Sequence, residues 1–180
     1  MKKLLSILMS ALLLTAGIVT LTACDNVPTP PEGYKAYVGE EVYFAYPDTW
    51  ESFANSLAIV AYKDNTTGSN VALASEPKSD LYKNMTVAQF KQMITPSLEL
   101  MGGTVLNAFV GQRTNDKETA ITELSYTYRI TVETVSVTVK QYMYVFEAGD
   151  KNYSVALTFN SEVNAIVRST IFNSIKVLKS

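Results

Sequence analysis

Alternation of apolar and polar residues dominates the chain beyond residue 104 and predicts a series of β-strands. We expect strands at 104–112 and 119–131, and a further strand at 153–159 after the tight turn EAGDK. In the strand at 119–131 the side chains divide between a mainly apolar face and a polar face. We therefore expect one side of the sheet to be buried more deeply than the other. The two faces are Thr122, Leu124, Tyr126 and Tyr128 against Glu123, Ser125, Thr127 and Arg129.

Between these strands the alternation slips by one position near Lys140. Two apolar sets of opposite phase stand on either side of it: Val135, Val137 and Val139 before, and Tyr142, Tyr144 and Phe146 after. A β-bulge inserts one extra residue and shifts the phase by one, so a bulge near Lys140 accounts for the slip. A break between two separate strands is the alternative.

The first half of the domain begins with shorter strands separated by turn-forming residues. The segment 42–46, VYFAY, is followed by Pro47, which cannot donate to a strand ladder, and by the turn former Asp48. Strands are also expected at 57–62 and 70–75. They are joined by KDNTTGSN, which predicts a hairpin with a longer loop.

A helix is predicted between the two groups of strands. Thr86 and Gln89 match the capping box, in which each side chain bonds the other residue's main chain. A glycine pair at 102–103 ends the segment, and Pro96 inside it predicts a kink or a break near Thr95. The apolar side chains fall at spacings of three and four, as on one helix face: Val87, Phe90, Ile94, Leu98 and Met101.

A second helix is expected after the last strand, with Ser161 as its N-cap and Glu162 in its first turn. Because consecutive strands are joined by links of hairpin length, the order of elements favours an α+β fold over a doubly wound parallel sheet. We expect a mostly antiparallel β-sheet flanked by helices. It should form one domain at 34–180, since about 150 residues are too few for two.

The first 23 residues have the composition of an export signal. Lys2 and Lys3 precede the apolar run Leu4–Leu21, and no acidic residue occurs before Asp25. A run of this length also approaches the roughly 20 residues that span a bilayer, so an uncleaved N-terminal anchor is the alternative. The residues that end the run favour a cleaved export signal over an uncleaved anchor.

The run ends in LTAC, which resembles the lipobox of bacterial lipoprotein precursors. The resemblance implies that residues 1–23 are a signal peptide, cut between Ala23 and Cys24, and that Cys24 receives a diacylglyceryl group. Two acyl chains anchor a protein firmly, which places this one at the cell membrane, lipid-anchored on its extracytoplasmic side. Residues 24–33 then comprise the lipidated cysteine and a proline-rich tether that holds the domain off the membrane. The sequence has no histidine, so a catalytic role for this only cysteine lacks a base.

Composition excludes several classes of function. Cleavage removes two lysines and no acidic residue, so the mature chain is two units more negative than the precursor's formal charge of -2. A mildly acidic chain has no electrostatic footprint for nucleic acid. We expect no metal and no other cofactor. Histidine is absent, and the oxygen-rich loop DNTTGSN at 64–70 has a single carboxylate and lacks the bidentate glutamate of a calcium loop.

The segment Tyr43–Trp50, YFAYPDTW, resembles the opening strand of PsbP-like domains, in which an aromatic strand ends in Tyr-Pro and a Trp follows. The mid-chain amphipathic helix, the tyrosine-rich hairpin strands and IFNSIKVL at Ile171–Leu178 are similar to the same family. The resemblance implies an α/β/α sandwich, a fold shared with the DcrB-like lipoproteins of bacteria. It also implies a non-enzymatic role, since the photosynthetic members bind a membrane complex as extrinsic subunits.

Tyr46, Asp48 and Trp50 form the most site-like cluster of the sequence. A carboxylate beside aromatic rings at a strand end suits contact with a partner or a ligand. The alternative is structural, with Trp50 packed on the sheet edge while Pro47 and Asp48 make the turn.

We therefore expect a membrane-anchored lipoprotein that acts as a non-catalytic binding or accessory module for an envelope protein complex. Two alternatives remain open. One is an envelope enzyme whose carboxylates are assembled by the fold, such as Asp48 with Glu123. The other is a carrier of a small ligand, which that ligand should stabilise against heat.

Overall fold

Ten strands and two helices make up the part of the chain that the structure describes. The structure is a computed structural model, and it describes residues 27–132, 134–160 and 162–178. The expected signal peptide and Cys24 lie outside these residues. The elements are, in chain order, β1 (Tyr34–Val38), β2 (Val42–Pro47), β3 (Glu51–Ser52), β4 (Val60–Lys63), β5 (Asn70–Pro77), α1 (Val87–Leu100), β6 (Gly103–Thr114), β7 (Ala120–Val132), β8 (Val135–Ala148), β9 (Lys151–Phe159), α2 (Ala165–Ser174) and β10 (Lys176–Val177).

The strands form two antiparallel sheets. The smaller sheet has the order β1-β2-β10, and the larger has the order β3-β4-β5-β9-β8-β7-β6. Every strand pair in both sheets is antiparallel. α1 packs against β6, and α2 packs against β2 of the smaller sheet. The expected α+β fold, a mostly antiparallel sheet flanked by helices, is confirmed. Neither described helix has the length and apolar composition needed to cross a membrane.

The larger sheet is covered on both faces by two separate cores. The smaller sheet and α2 cover one face, where the main core lies, and α1 covers the other face over β6, β7 and β8. Phe44, Val155 and Leu157 of the main core are fully buried, as are Phe90 and Leu124 of the core under α1. The larger sheet is therefore the middle of three layers.

β8 runs without a bulge or a break, so both explanations of the phase slip near Lys140 are wrong. Its pairing with β7 keeps one register on both sides of that residue, and its pairing with β9 keeps one register from Lys140 onwards. The only register shift in this hairpin region lies in β6, between Val105 and Asn107. The slip marks instead a change in which face of β8 is covered. Tyr142, Tyr144 and Phe146 lie in the main core, whereas Val139 is buried on the opposite face and Val135 and Val137 are exposed.

Both faces of β7 are buried, contrary to the expectation that one would be buried more deeply. Leu124 is fully buried under α1, and on the other face Glu123 and Thr127 are only 4% and 6% exposed. The polarity of the residues at 123–129 suggested a solvated face. The cover formed by α2 and the smaller sheet encloses part of that face too. The charge of Glu123 can be buried there because it has arginine partners.

α1 begins at the predicted capping box and continues through Pro96. Thr86 Oγ1 accepts from Gln89 N at 3.3 Å, and Thr86 N donates to Gln89 Oε1 at 2.9 Å. The break expected near Thr95 is wrong, because the helix is continuous over its whole range. Pro96 removes one main-chain donor near the end of the helix. It is exposed, so water can satisfy the carbonyl that loses this donor.

α2 is capped by Asn164, and the predicted start of this helix is wrong by three residues. Asn164 Oδ1 accepts from Ile166 N and Val167 N, both at 3.1 Å. The expected cap, Ser161, lies outside the described residues, and Glu162 precedes the helix instead of lying in its first turn. Asparagine is as good an N-cap as serine, so the local sequence does not distinguish the two positions.

The hairpin of β4 and β5 is confirmed, and its longer loop is an ordered turn. Asp64 Oδ1 accepts from Thr66 N at 2.8 Å, and Gly68 has the positive φ of +71° that such a loop requires. β4 begins at Val60, three residues later than expected, because Leu57 is in a turn and 87% exposed.

Two tyrosine hydroxyls in the main core differ in their hydrogen bonding, and substitution by phenylalanine tests this difference. Tyr144 is 1% exposed, and its hydroxyl has no hydrogen-bond partner among the described residues. Tyr144→Phe should leave the free energy of unfolding unchanged or raise it by about 1 kcal/mol, because it removes a buried unsatisfied group. Tyr153→Phe should lower it by about 1 kcal/mol, because Tyr153 Oη donates to Glu41 Oε2 at 2.6 Å. Urea unfolding of the mature chain with Cys24→Ser measures both. Equal losses in the two variants would contradict the assignment.

Candidate functional site

β7 and β8 separate at one end of the larger sheet. Their pairing ends at Thr122 and Val145. Beyond this point β7 continues along β6 as far as Ala120, whereas β8 continues along β9 as far as Ala148. The sheet therefore forks between its two longest strands.

A cavity of about 710 Å³ lies in this fork. We call it the fork cavity, and its floor consists of Thr122, Val145, Phe146 and Asn152, all of them buried. Its volume falls within the range of about 300–1,000 Å³ that is typical of small-molecule sites. A cavity of this size with a buried floor is a candidate binding site.

One wall of the fork cavity is the 78–86 loop, which is fixed by floor and wall residues. Gln112 Nε2 donates to Thr122 Oγ1 at 2.9 Å and to Tyr82 O at 3.3 Å. Thr122 Oγ1 also donates to Tyr82 O at 3.3 Å. Asn152 Nδ2 donates to Ser79 O at 3.0 Å. The polar groups of the floor are therefore engaged in holding the loop.

A second wall is the turn between β6 and β7, which Asn115 holds in place. The buried Asn115 side chain accepts from Lys117 N and Thr119 N, both at 3.0 Å. Its amide donates to two main-chain carbonyls at the end of α2, at 2.7 and 2.8 Å. Within the turn, Glu118 has φ +59° and is the one non-glycine residue with positive φ in the described chain. Glu118 is thus held in a conformation that such residues rarely adopt.

Glu147 is bonded by two lysines at the rim of the fork cavity. Its Oε2 lies 2.6 Å from Lys78 Nζ, and its Oε1 lies 3.0 Å from Lys83 Nζ. Lys83 Nζ also lies 2.8 Å from Asp80 Oδ1. Hydrogen bonds from Lys78 and Lys83 lower the pKa of the Glu147 carboxyl, and bonds to Asp80 and Glu147 raise the pKa of the Lys83 ammonium group. Both shifts favour the charged forms of Glu147 and Lys83.

The rim carries more positive than negative charge. Three lysines and two glutamates line the cavity: Lys83, Lys117, Lys176, Glu118 and Glu147. Apolar side chains lie among them, including Val177 of β10 beside the floor residues Val145 and Phe146. The arrangement suits a ligand with an apolar body and an anionic group.

The structure places the predicted cluster of Tyr46, Asp48 and Trp50 elsewhere, at the end of β2. Tyr46 and Trp50 are each 7% exposed in the main core, and the Tyr46 ring stacks on Tyr62 with centroids 3.7 Å apart. Asp48 is exposed, and its main-chain N–H donates to Gly33 O at 3.0 Å. Two members of the cluster are thus core residues and the third is a turn residue.

Glu123, the partner of Asp48 in the enzyme hypothesis, is an ion-paired residue beneath α2. Its Oε2 lies 2.8 Å from Arg113 Nη1, and its Oε1 lies 3.9 Å from Arg168 Nη2. Both guanidinium groups lie 4.7 Å from the centres of aromatic rings in the main core. The surroundings of Glu123 are therefore different from those of Asp48. In the described part of the chain, no three carboxylate or thiol groups are placed to hold a metal ion.

No single motif of the sequence points to the fork cavity. The cavity exists because β7 and β8 keep different neighbours past Thr122 and Val145. The strands involved are consecutive in sequence, but the cavity also needs the 78–86 loop and β10, which are distant from them, so no local motif marks it. The one local signal is the long polar link at 78–86, which carries two of the lysines near the rim.

No protein-family model matches the chain, and no curated protein is similar to it in sequence. Solved structures do resemble it. Mog1p, a Ran-binding protein of Saccharomyces cerevisiae, matches with a TM-score of 0.51 and 10% identity, over 81% of this chain and 96% of Mog1p. At this identity the likeness shows the fold alone, and it agrees with the antiparallel sheet and flanking helices described above.

Two further structures are similar at lower scores. LpqN, involved in cell envelope biogenesis of Mycobacterium tuberculosis, has a TM-score of 0.45 and 12% identity over 77% of this chain and 83% of LpqN. A protein from Bacteroides thetaiotaomicron VPI-5482 has a TM-score of 0.48 and 9% identity over 77% of this chain. The present chain spans 46% of that protein, which is less than half of its length.

Gln112→Ala should loosen the 78–86 loop while leaving the sheet intact, because the amide of Gln112 joins that loop to the cavity floor. Hydrogen exchange of the loop amides should become about tenfold faster, as expected for the loss of about 1.4 kcal/mol of local stability. Hydrogen-exchange mass spectrometry measures this effect. Gln92→Ala, on the exposed side of α1, is the matched control and should leave the loop unchanged. Equal exchange in both variants would contradict the role given to Gln112.

Proposed function

We propose that the mature chain is a lipid-anchored, non-catalytic module that binds an envelope protein along the free edge of β6. Cys24, in the lipobox-like LTAC, carries the diacylglyceryl group and holds the domain on the extracytoplasmic side of the cell membrane. The sequence supports the anchor, and the exposed edge of the larger sheet supports the binding role. The partner is a protein, because a strand edge is recognised by another extended main chain.

The free edge of β6 is the observation that carries the proposal. β6 is twelve residues long and is the last strand of the larger sheet. Its residues 103–112 include no charged residue and no proline, the usual protections of an open edge. Leu106 and Phe109 are 44% and 49% exposed. The irregularity between Val105 and Asn107 is the one protective feature of this edge.

Phe109 adds a flat apolar surface to this edge. A Cβ on Gly111 would lie 2.7 Å from Phe109 Cζ, so the ring lies over Gly111 along the strand. Any other residue at position 111 would displace the ring. The ring therefore presents a face to solvent beside the open backbone, which gives a partner strand an apolar contact in addition to main-chain hydrogen bonds.

The segment that follows Cys24 orients the domain. Pro28, Thr29 and Pro31 line a cavity of about 270 Å³ together with Lys117 of the β6–β7 turn and residues of α2. The expected tether therefore lies against the domain over these residues and does not stand free of it. Because a residue spans at most about 3.6 Å, Cys24 lies within about 15 Å of Pro28. The lipid would hold this end of the larger sheet near the membrane.

The fold is compatible with a protein-binding role. Mog1p, which shares it at a TM-score of 0.51, is a Ran-binding protein. That fact concerns Mog1p, and it supports the proposal only as an example of this fold used to bind another protein. Residues 103–112 of the present edge are uncharged and include the exposed Leu106 and Phe109, so the expected partner offers an apolar extended segment.

Cys24→Ser should release the protein from the membrane fraction, because it removes the acyl chains. In wild type the mature protein should begin at Cys24 and carry the added mass of the lipid, which intact-mass spectrometry of the membrane fraction measures. Thr22→Ser keeps a small residue beside the cleavage site and should behave as wild type. Continued membrane association of a Cys24→Ser protein that has lost residues 1–23, as judged by its intact mass, would contradict the anchor. A wild-type protein that keeps residues 1–23 would favour an uncleaved apolar segment.

A photo-crosslinking residue at Leu106 should give a discrete protein adduct in cells, whereas one at Thr66, in the loop after β4, should not. Phe109→Lys should reduce the adduct because it adds an edge charge that opposes strand pairing. Val87→Lys replaces another exposed apolar residue, on α1 and 39% exposed, and should leave the adduct unchanged. The proposal would fail if no adduct formed at Leu106 and the non-lipidated domain fully complemented a deletion.

A further inference from the structure

The fork cavity lies at the end of the domain that the lipid anchor would hold. Lys117, on the β6–β7 turn, lines both the fork cavity and the cavity formed by Pro28, Thr29 and Pro31. Cys24 precedes Pro28 by four residues. The fork cavity is therefore close to the membrane surface, and this step alone rests on the lipid anchoring proposed above.

Apolar side chains form part of the floor of the fork cavity. Val145 and Phe146 are 4% and 2% exposed, and Val177 lines the cavity with them. The polar groups at this depth, on Thr122 and Asn152, already bond the 78–86 loop. An apolar chain could enter without leaving those groups unpaired, and its burial is favoured by the hydrophobic effect.

The charges of the rim favour an anion. Lys78 and Lys83 pair with Glu147 and Asp80, so these four charges balance before any ligand binds. Among the other charged residues that line the rim, Lys117 and Lys176 outnumber the single carboxylate of Glu118. A cluster of ammonium groups attracts a carboxylate or a phosphate and repels a cation.

We propose that the fork cavity binds an anionic amphiphile with a single apolar chain and a carboxylate or phosphate head group. The chain lies along the apolar part of the floor, and the head group lies at the rim near Lys117. The cavity of about 710 Å³ is of the size that holds one small molecule. Free fatty acids and lysophospholipids share this chemistry, and both are available at a membrane surface.

The test uses the mature chain with Cys24→Ser and four probes below their micelle concentrations. The probes are laurate, a lauroyl lysophosphatidylglycerol, uncharged dodecyl maltoside and inorganic phosphate. Laurate, the lysophospholipid or both should raise the Tm by about 3–5 °C at ten times the Kd. The maltoside and phosphate should bind at least about tenfold more weakly, since one lacks the charge and the other lacks the chain. Binding of laurate identifies a carboxylate head group, and binding of the lysophospholipid identifies a phosphate head group. Failure of both anionic amphiphiles, or equal binding of the maltoside, would overturn the proposal.

Two variants locate the binding site. Lys117→Glu reverses a rim charge and should weaken binding of the anionic probe by about tenfold. Ala120→Trp places a large ring in the cavity and should abolish binding. The matched controls are Lys91→Glu, on α1, and Ala54→Trp, in an exposed loop, which should bind as the parent does. Lys117→Glu serves as the test where Ala120→Trp fails to fold, and unchanged binding in Lys117→Glu would overturn the assignment of the site.

This test and the test of the anchor can fail separately. Membrane fractionation of the Cys24→Ser protein addresses the anchor, whereas the probes are added to a soluble chain. Binding of laurate by a protein that Cys24 does not anchor would preserve the ligand class and remove the proposed function. Loss of the protein from the membrane on Cys24→Ser, with no binding of either anionic amphiphile, would preserve the proposed anchor and remove the ligand class.

Discussion

The larger sheet has apolar side chains on both of its faces, and the need to cover both determines the rest of the structure. A single layer cannot bury the two faces of β7 and β8. α1 covers the face that bears Leu124 and Val145, and α2 with the smaller sheet covers the face that bears Tyr144. The chain must therefore return from β9 through α2 to β10, which pairs with β2 and closes the main core. The fork cavity depends on this return, because β10 supplies part of its lining.

Asn115 joins the return of the chain to the candidate site. The end of an α-helix leaves main-chain carbonyls without partners, and the Asn115 amide satisfies two of them at the end of α2. The oxygen of the same side chain fixes the turn that carries Lys117. β10 leaves α2 at this point and places Val177 in the fork cavity. One buried side chain thus sets the positions of the turn, of the C-terminal strand and of the cavity wall between them.

The sequence predicted the features that depend on neighbouring residues. The capping box of Thr86 and Gln89 is an example, since each partner lies three residues from the other. The phase slip near Lys140 was interpreted wrongly because polarity records burial without recording the face, so a change of cover imitates a bulge. The candidate site is harder to predict from the sequence. Tyr46 and Trp50 stand out as large aromatic residues, and that same property places them in the core. The fork cavity depends instead on where β7 and β8 part and on the 78–86 loop and β10, which come from distant parts of the chain.

The two proposed binding features lie at different distances from the proposed anchor. β6 runs from Gly103 to Thr114 and adjoins the β6–β7 turn, which lines a cavity together with Pro28, Thr29 and Pro31. With a rise of about 3.4 Å per residue, Phe109 and Leu106 lie about 17 and 27 Å from that end of the strand. If Cys24 carries the proposed lipid, a partner strand along this edge lies farther from the membrane than the fork cavity does. The two proposals therefore place a protein partner and an amphiphile on separate surfaces of the domain.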